Sequence, residues 1–128
     1  MNTSMRAGLF VYAHGFERLR DFYAAVLGLP VVHDTGEIAV LRAPAMDLLV
    51  HRIPAHIAAT FEIAVPPALR EEQALKFFFP VDDLAAAVER ATAHGGGAMG
   101  ESWRGPDFVV RNAFDPEGNI FQLRAAAD

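Results

Sequence analysis

Asp115-Pro116-Glu117-Gly118-Asn119-Ile120-Phe121-Gln122-Leu123 reads as a tight turn running into a strand, and the polar residue of that strand is an amide. Pro presets φ, and Gly118 and Asn119 tolerate the positive φ that closes such a turn. If the strand lines a cavity, a carboxylate at position 122 would hold a hard or borderline metal ion. Glutamine binds such an ion weakly and is no base near neutral pH. His51 closes the apolar run Leu48-Leu49-Val50. It is either a hydrogen-bonded strand end or a cavity wall that binds or protonates a ligand, and its place relative to Gln122 favours the second. Lys76 precedes three phenylalanines. A strand-edge lysine that blocks aggregation and an anion contact fit it equally. Trp103 and Arg104, in Ser102-Trp103-Arg104-Gly105-Pro106, read as a loop rim where the indole stacks on a planar ligand with the guanidinium alongside, against the commoner fate of a core tryptophan. Tyr12 alternates with Phe10 and Gly8 and brings a hydroxyl to their face. With Gln122 inward, pairing across the turn puts Asn112, Val110 and Phe114 on its side. Arg111 then needs a carboxylate or a way out to solvent. His14 reads as a capping or surface histidine. His94-Gly95-Gly96-Gly97 is a helix end, where the dipole repels anions. Neither a Ser/His/Asp signature nor a phosphate loop is present.

The elements that must position these residues follow from spacing. Leu9–Tyr12 is strand-like. Phe16, Leu19, Phe22, Tyr23, Val26 and Leu27 fall at helical spacing, and Gly28 and Pro30 stop the helix. Val31-Val32, Glu37–Leu41 and Asp47–Ile53 read as strands. The second half repeats this rhythm: strand Lys76–Phe79, a helix capped by Asp82 or Asp83 with Leu84, Ala87, Val88 and Ala91 on its apolar face, then strands Ala98–Glu101, Asp107–Ala113 and Ile120–Arg124. A shift of 68 residues lays Leu9-Phe10-Val11 on Phe77-Phe78-Phe79. A further three-residue insertion lays Val50-His51 on Phe121-Gln122. Two βαβββ modules result, about 7–53 and 75–125, with residues 54–74 as linker and Thr60–Val65 as a candidate strand within it. A linker of that length is usually functional or mobile, and it lets the halves pair within one chain or exchange between two.

Composition narrows the partners. The 128 residues suffice for a buried core without staples. The absence of cysteine excludes disulfides, thiolate zinc sites and thiol nucleophiles. Net charge is −5 with no basic run, so nucleic acid and anionic membranes are poor partners. No segment approaches the roughly 20 apolar residues of a membrane helix. Met1–Arg6 has no long apolar stretch behind it, so no signal peptide is expected, and a cytoplasmic protein is the expectation.

Asp21-Phe22-Tyr23-x-x-Val26-Leu27-Gly28-Leu29 and the DPEGN turn with Gln122-Leu123, in register over the repeat, resemble the vicinal oxygen chelate superfamily of glyoxalases, bleomycin-resistance proteins and extradiol dioxygenases. The resemblance covers nearly the whole chain. It implies an α+β fold in which two paired βαβββ modules form a curled mixed sheet around a cavity, and in many members a dimer. In metal-dependent members four positions converge there. The resemblance places them at Gly8, His51, Lys76 and Gln122. Glycine has no ligand atom and lysine repels a cation. His51 and Gln122 remain, where a catalytic site wants three protein ligands. His14, His33 or Glu37 would have to fill the set. The stretch from Trp103 through Asn112 and Phe114 is similar to that of bleomycin-resistance proteins, which bind a drug in an aromatic groove between subunits without a catalytic metal.

The preferred expectation is therefore a metal-free, small-molecule-binding homodimer with no cofactor, not an enzyme. Its candidate ligand contacts are Tyr12, His51, Lys76, Trp103, Asn112, Phe114 and Gln122. The alternative is an enzyme, a metal-dependent lyase, isomerase or dioxygenase with His51 and Gln122 among the ligands of a divalent metal. A third reading is a scaffold whose cavity is plugged by Phe77 to Phe79.

Overall fold

The computed structural model describes residues 5–127, so residues 1–4 of the leader and residue 128 lie outside the described part. Element order is β1 (Gly8–Ala13), α1 (Phe16–Leu27), β2 (Val31–Asp34), β3 (Ile38–Arg42), β4 (Asp47–Arg52), α2 (Ala55–Ala58), β5 (Phe78–Pro80), α3 (Leu84–Ala93), β6 (Gly97–Arg104), β7 (Phe108–Phe114) and β8 (Ile120–Ala126). The spacing that marks α1 also sets its packing: Phe16, Leu19, Phe22, Tyr23, Val26 and Leu27 are all buried. Gly28, at φ 65°, turns the chain out of the helix in the left-handed region. At the start of α3 the Asp83 side chain accepts from the Ala86 N–H at 3.0 Å.

The strands form two four-stranded mixed sheets of identical topology, β1-β4-β3-β2 and β5-β8-β7-β6, with the first pair of each parallel. The fold is thus α+β with two βαβββ modules, and the sheets are curled, not closed into a barrel. Each sheet buries one face under the helices. Val11, Ala13, Leu48 and Val50 do so in the first, and Phe79, Ala113, Phe121 and Leu123 in the second. The modules share this core. Phe22 and Tyr23 of α1 meet Phe121 edge-on, at 6.0 and 5.4 Å between ring centroids. Arg90 of α3 donates to the Ala25 and Val26 carbonyls near the end of α1, at 2.9 and 3.0 Å, satisfying groups that a helix terminus leaves unpaired.

Three details differ from the sequence reading. Trp103 and Arg104 belong to β6, opposite Val110 and Val109, and not to a loop. An irregularity between Met99 and Trp103, with Gly100 at φ 61°, breaks the alternation that would have marked the strand. Thr60–Val65 forms no strand; the linker contributes the short α2 and then irregular chain. Finally, the internal match moves by two residues. Phe10 pairs with Leu49 and Phe78 with Gln122, so Leu49, not His51, is the counterpart of Gln122. The insertion is then five residues (122 − 49 − 68 = 5), and it is absorbed where β6 and β7 run eight and seven residues against four and five in β2 and β3.

Candidate functional site

The DPEGN turn joins the modules. Asp115 is fully buried and its carboxylate accepts from the Tyr23 hydroxyl at 2.6 Å, from the Glu117 and Asn119 backbone N–H groups at 2.8 and 3.1 Å, and from the Asn119 amide at 2.8 Å. Burial pushes its carboxyl above the ordinary range, against these hydrogen bonds, which pull it down. Glu117, also buried, takes the backbone N–H groups of His14 and Gly15 at 2.9 and 2.7 Å. A carboxylate from the second module thereby satisfies donors at the N-terminus of α1, where the helix dipole favours negative charge. Tyr23 of the first signature segment and Asp115 of the second are thus spent on one another, and Glu117 is spent on the entry to α1. Gly118 has φ 86°, while Asn119 does not enter the positive region. The linker lies over this turn: Arg70 N–H donates to the Gly118 carbonyl at 2.9 Å, and the Gln73 side chain bonds the Ile120 carbonyl and N–H.

The opposite face of each sheet is free of helices. On the first, Phe10 and Tyr12 are 53% and 60% exposed, and both approach the His51 ring, at 6.0 and 5.4 Å between centroids. Tyr12 and His51 are directly opposite in register. His51 Nδ1 donates to the Arg52 carbonyl at 2.8 Å, which leaves Nε2 as an acceptor on this face. Phe10, Tyr12 and Leu75 also line a cavity of about 540 Å³ that runs between β1 and the linker beside Phe61 and Phe77. That volume falls within the range of small-molecule sites.

On the second sheet, Asn112, Gln122 and Phe78 stand in one row across β7, β8 and β5, as the pairing argument expected for Asn112 and Gln122. Lys76 Nζ reaches Asn112 Oδ1 at 3.5 Å. The next row is Trp103, Val110, Arg124 and Pro80. Phe114 lies at the far end of β7, its ring over Gly97. Phe77 and Phe79 turn toward the core while Phe78 stays 51% exposed, so the three do not act together as a plug. The candidates thus form two groups, Tyr12 with His51 and Lys76 with Asn112 and Gln122, on separate sheets. Trp103, 46% exposed, flanks the second group.

Arg124 is the residue that sequence reasoning missed. Its guanidinium lies 3.8 Å from the Phe78 ring centroid and 4.7 Å from that of Phe108, and Nη2 donates to Gln122 Oε1 at 3.2 Å. Strand alternation with Gln122 was the available signal. Arg111 points the other way, opposite Leu123, and its Nε is buried without a hydrogen-bond partner among the described residues.

A divalent metal, which this fold family implies, does not fit the residues present. Gly8 is level with Asp47 and four registers from His51, roughly 13 Å along the strand. The Asp47 carboxylate is bound by Arg42 and Arg6, each at 3.0 Å, and the Arg42 hydrogen bond above all holds its carboxyl below the ordinary range. The imidazole of His14 lies 3.0 Å from the Ala58 and Phe61 carbonyls, holding the linker. His33 and Glu37 are exposed on β2 and just before β3. Among the described residues no three His, Asp or Glu side chains converge.

The fold agrees with what comparison finds. The model of a glyoxalase-like domain matches residues 8–124. No curated protein matches the sequence. A glyoxalase/bleomycin resistance protein/dioxygenase family enzyme from Burkholderia phytofirmans superposes with a TM-score of 0.70 at 15% identity, covering 94% of this chain and 97% of that one. A glyoxalase-related enzyme from Fulvimarina pelagi gives 0.69 at 16%, covering 96% and 88%. The fosfomycin resistance protein FosX from Listeria monocytogenes gives 0.65 at 11%, covering 99% and 94%. At such identities these structures share the fold alone. The match across both modules shows that the chain belongs to the glyoxalase-like domain family, within the vicinal oxygen chelate superfamily.

Proposed function

We propose that this protein binds a small organic molecule on the helix-free faces of its sheets, without a catalytic metal. One observation carries the reading. The positions where the superfamily builds an ion cage hold a glycine, an ammonium and an amide, with the His51 imidazole on the first sheet, while four aromatic rings on the two sheets (Phe10, Tyr12, Phe78 and Trp103) stand about half exposed. Uncovered aromatic surface of this kind marks binding sites, and rings beside a few polar groups are the usual lining of a ligand site. A second copy facing these sheets would complete a groove, so a homodimer is part of the proposal.

Thermal denaturation against a panel of aromatic and peptide antibiotics tests it. Stabilisation by at least one compound is expected, and none by any would contradict the reading. Light scattering is expected to give the mass of two chains.

A further inference from the structure

On the helix-free face of the second sheet, the polar side chains offer hydrogens and few lone pairs. Lys76 Nζ meets Asn112 Oδ1 and Arg124 Nη2 meets Gln122 Oε1. Asn112 and Gln122 are directly opposite in register, with Cβ atoms about 5 Å apart, so the two cations end on neighbouring side chains. Each amide oxygen is taken by a cation. Each amide NH₂ is left as a donor with no protein acceptor among the described residues. Like Arg18, Arg70, Arg90, Arg104 and Arg111, and unlike Arg6, Arg20, Arg42 and Arg52, Lys76 and Arg124 have no carboxylate partner among the described residues. Arg124 is held in place between the Phe78 and Phe108 rings, and its Nε is buried without a partner. In a chain of net charge −5, two cations on one face with no acid paired to either among the described residues offer a site for an anion.

We infer that this face selects an aromatic carboxylate: the ionised head between Lys76 and Arg124, the flat body against an exposed aromatic ring of the same face. This deepens the ligand-binding reading and rests on it. A neutral molecule would leave desolvated donors unpaired, a cation would be repelled, and a bare inorganic anion would leave the rings uncovered.

Isothermal titration of the full chain with 2-naphthoate, 2-naphthamide and 2-naphthylmethylammonium tests this. Naphthoate is expected to bind about ten-fold or more tightly than the amide, as loss of one charge-assisted hydrogen bond implies, and the ammonium least. Added salt weakens the naphthoate complex alone. Lys76→Gln and Arg124→Gln should each weaken naphthoate by about ten-fold and weaken the amide less, so that the preference for the carboxylate shrinks. Lys76 is exposed, so its variant reports even if Arg124→Gln, which empties a packed slot, fails to fold. Equal binding of naphthoate and naphthamide, or Lys76→Gln binding naphthoate like the parent, would overturn carboxylate selection and leave ligand binding standing. Failure of all three probes while a compound of the antibiotic panel stabilises the protein would do the same. Failure of every compound overturns both.

Discussion

The 2.6 Å hydrogen bond from Tyr23 to Asp115 ties the two most recognisable segments of the chain together. Replacing Tyr23 by Phe leaves Asp115 one donor short in a buried site. The expected loss is about 1.5–3 kcal/mol, read as a shifted urea midpoint with unchanged slope. The same contact sets an alkaline limit. Burial above all, and then the charge of Asp115, raises the Tyr23 hydroxyl well above its ordinary value. The fold therefore binds this proton more tightly than the unfolded chain. The stability it contributes is present below the unfolded value of about 10 and is lost as pH climbs toward the folded one. In a Tyr12→Phe background, which leaves Tyr23 as the remaining tyrosine, tyrosinate absorbance should appear only together with loss of the far-ultraviolet circular dichroism of the fold. Its appearance in a native spectrum would contradict the buried contact. From sequence, Tyr23 was legible as a buried position of α1 through its spacing. Its partner 92 residues away was not, because no local pattern encodes which acid a buried hydroxyl meets. The face of Arg124 was legible from alternation with Gln122, but its partners were not, because Phe78 and Phe108 reach it through sheet pairing and not through neighbourhood in the chain.

The turn between β7 and β8 and the end of α1 look alike in sequence, each with a glycine at positive φ, yet they differ in space. A Cβ at Gly118 would lie 2.0 Å from the Ala68 carbonyl oxygen of the linker, while one at Gly28 meets nothing within 4 Å. Gly28→Ala is expected to cost about 1 kcal/mol of backbone strain. Gly118→Ala adds overlap with backbone that cannot swing aside, on the order of 3 kcal/mol or more. Equal melting temperatures for the two variants would show that the linker does not lie on the turn. The linker also marks where reading by element ran out. Its prolines and charges identified a connection, but its docking through His14, Arg70 and Gln73 is tertiary. Helices α1 and α3 were legible nearly to the residue because apolar spacing, the Asp83 cap and Gly28 agree with one another, whereas the short α2 in the linker was not read. The far half of β6 was hidden by its irregularity beside Gly100.

For the molecule as a whole, the two βαβββ modules could be read from the repeat of strand, helix and three strands, and the family from two motifs in register. The distribution of chemistry over the two open faces could not. It depends on a pairing register that sequence reading set two residues away, and that register makes Leu49, where His51 was expected, the counterpart of Gln122. The result is one face of rings around an imidazole and another of rings around cations and amides, neither with a set of donors for a metal ion. The most direct test of this account is the melting shift produced by a stabilising ligand, measured on one preparation before and after exhaustive treatment with a chelator. The account predicts the same shift in both. A shift that vanishes with the chelator and returns with one equivalent of nickel, zinc, iron or manganese would contradict it.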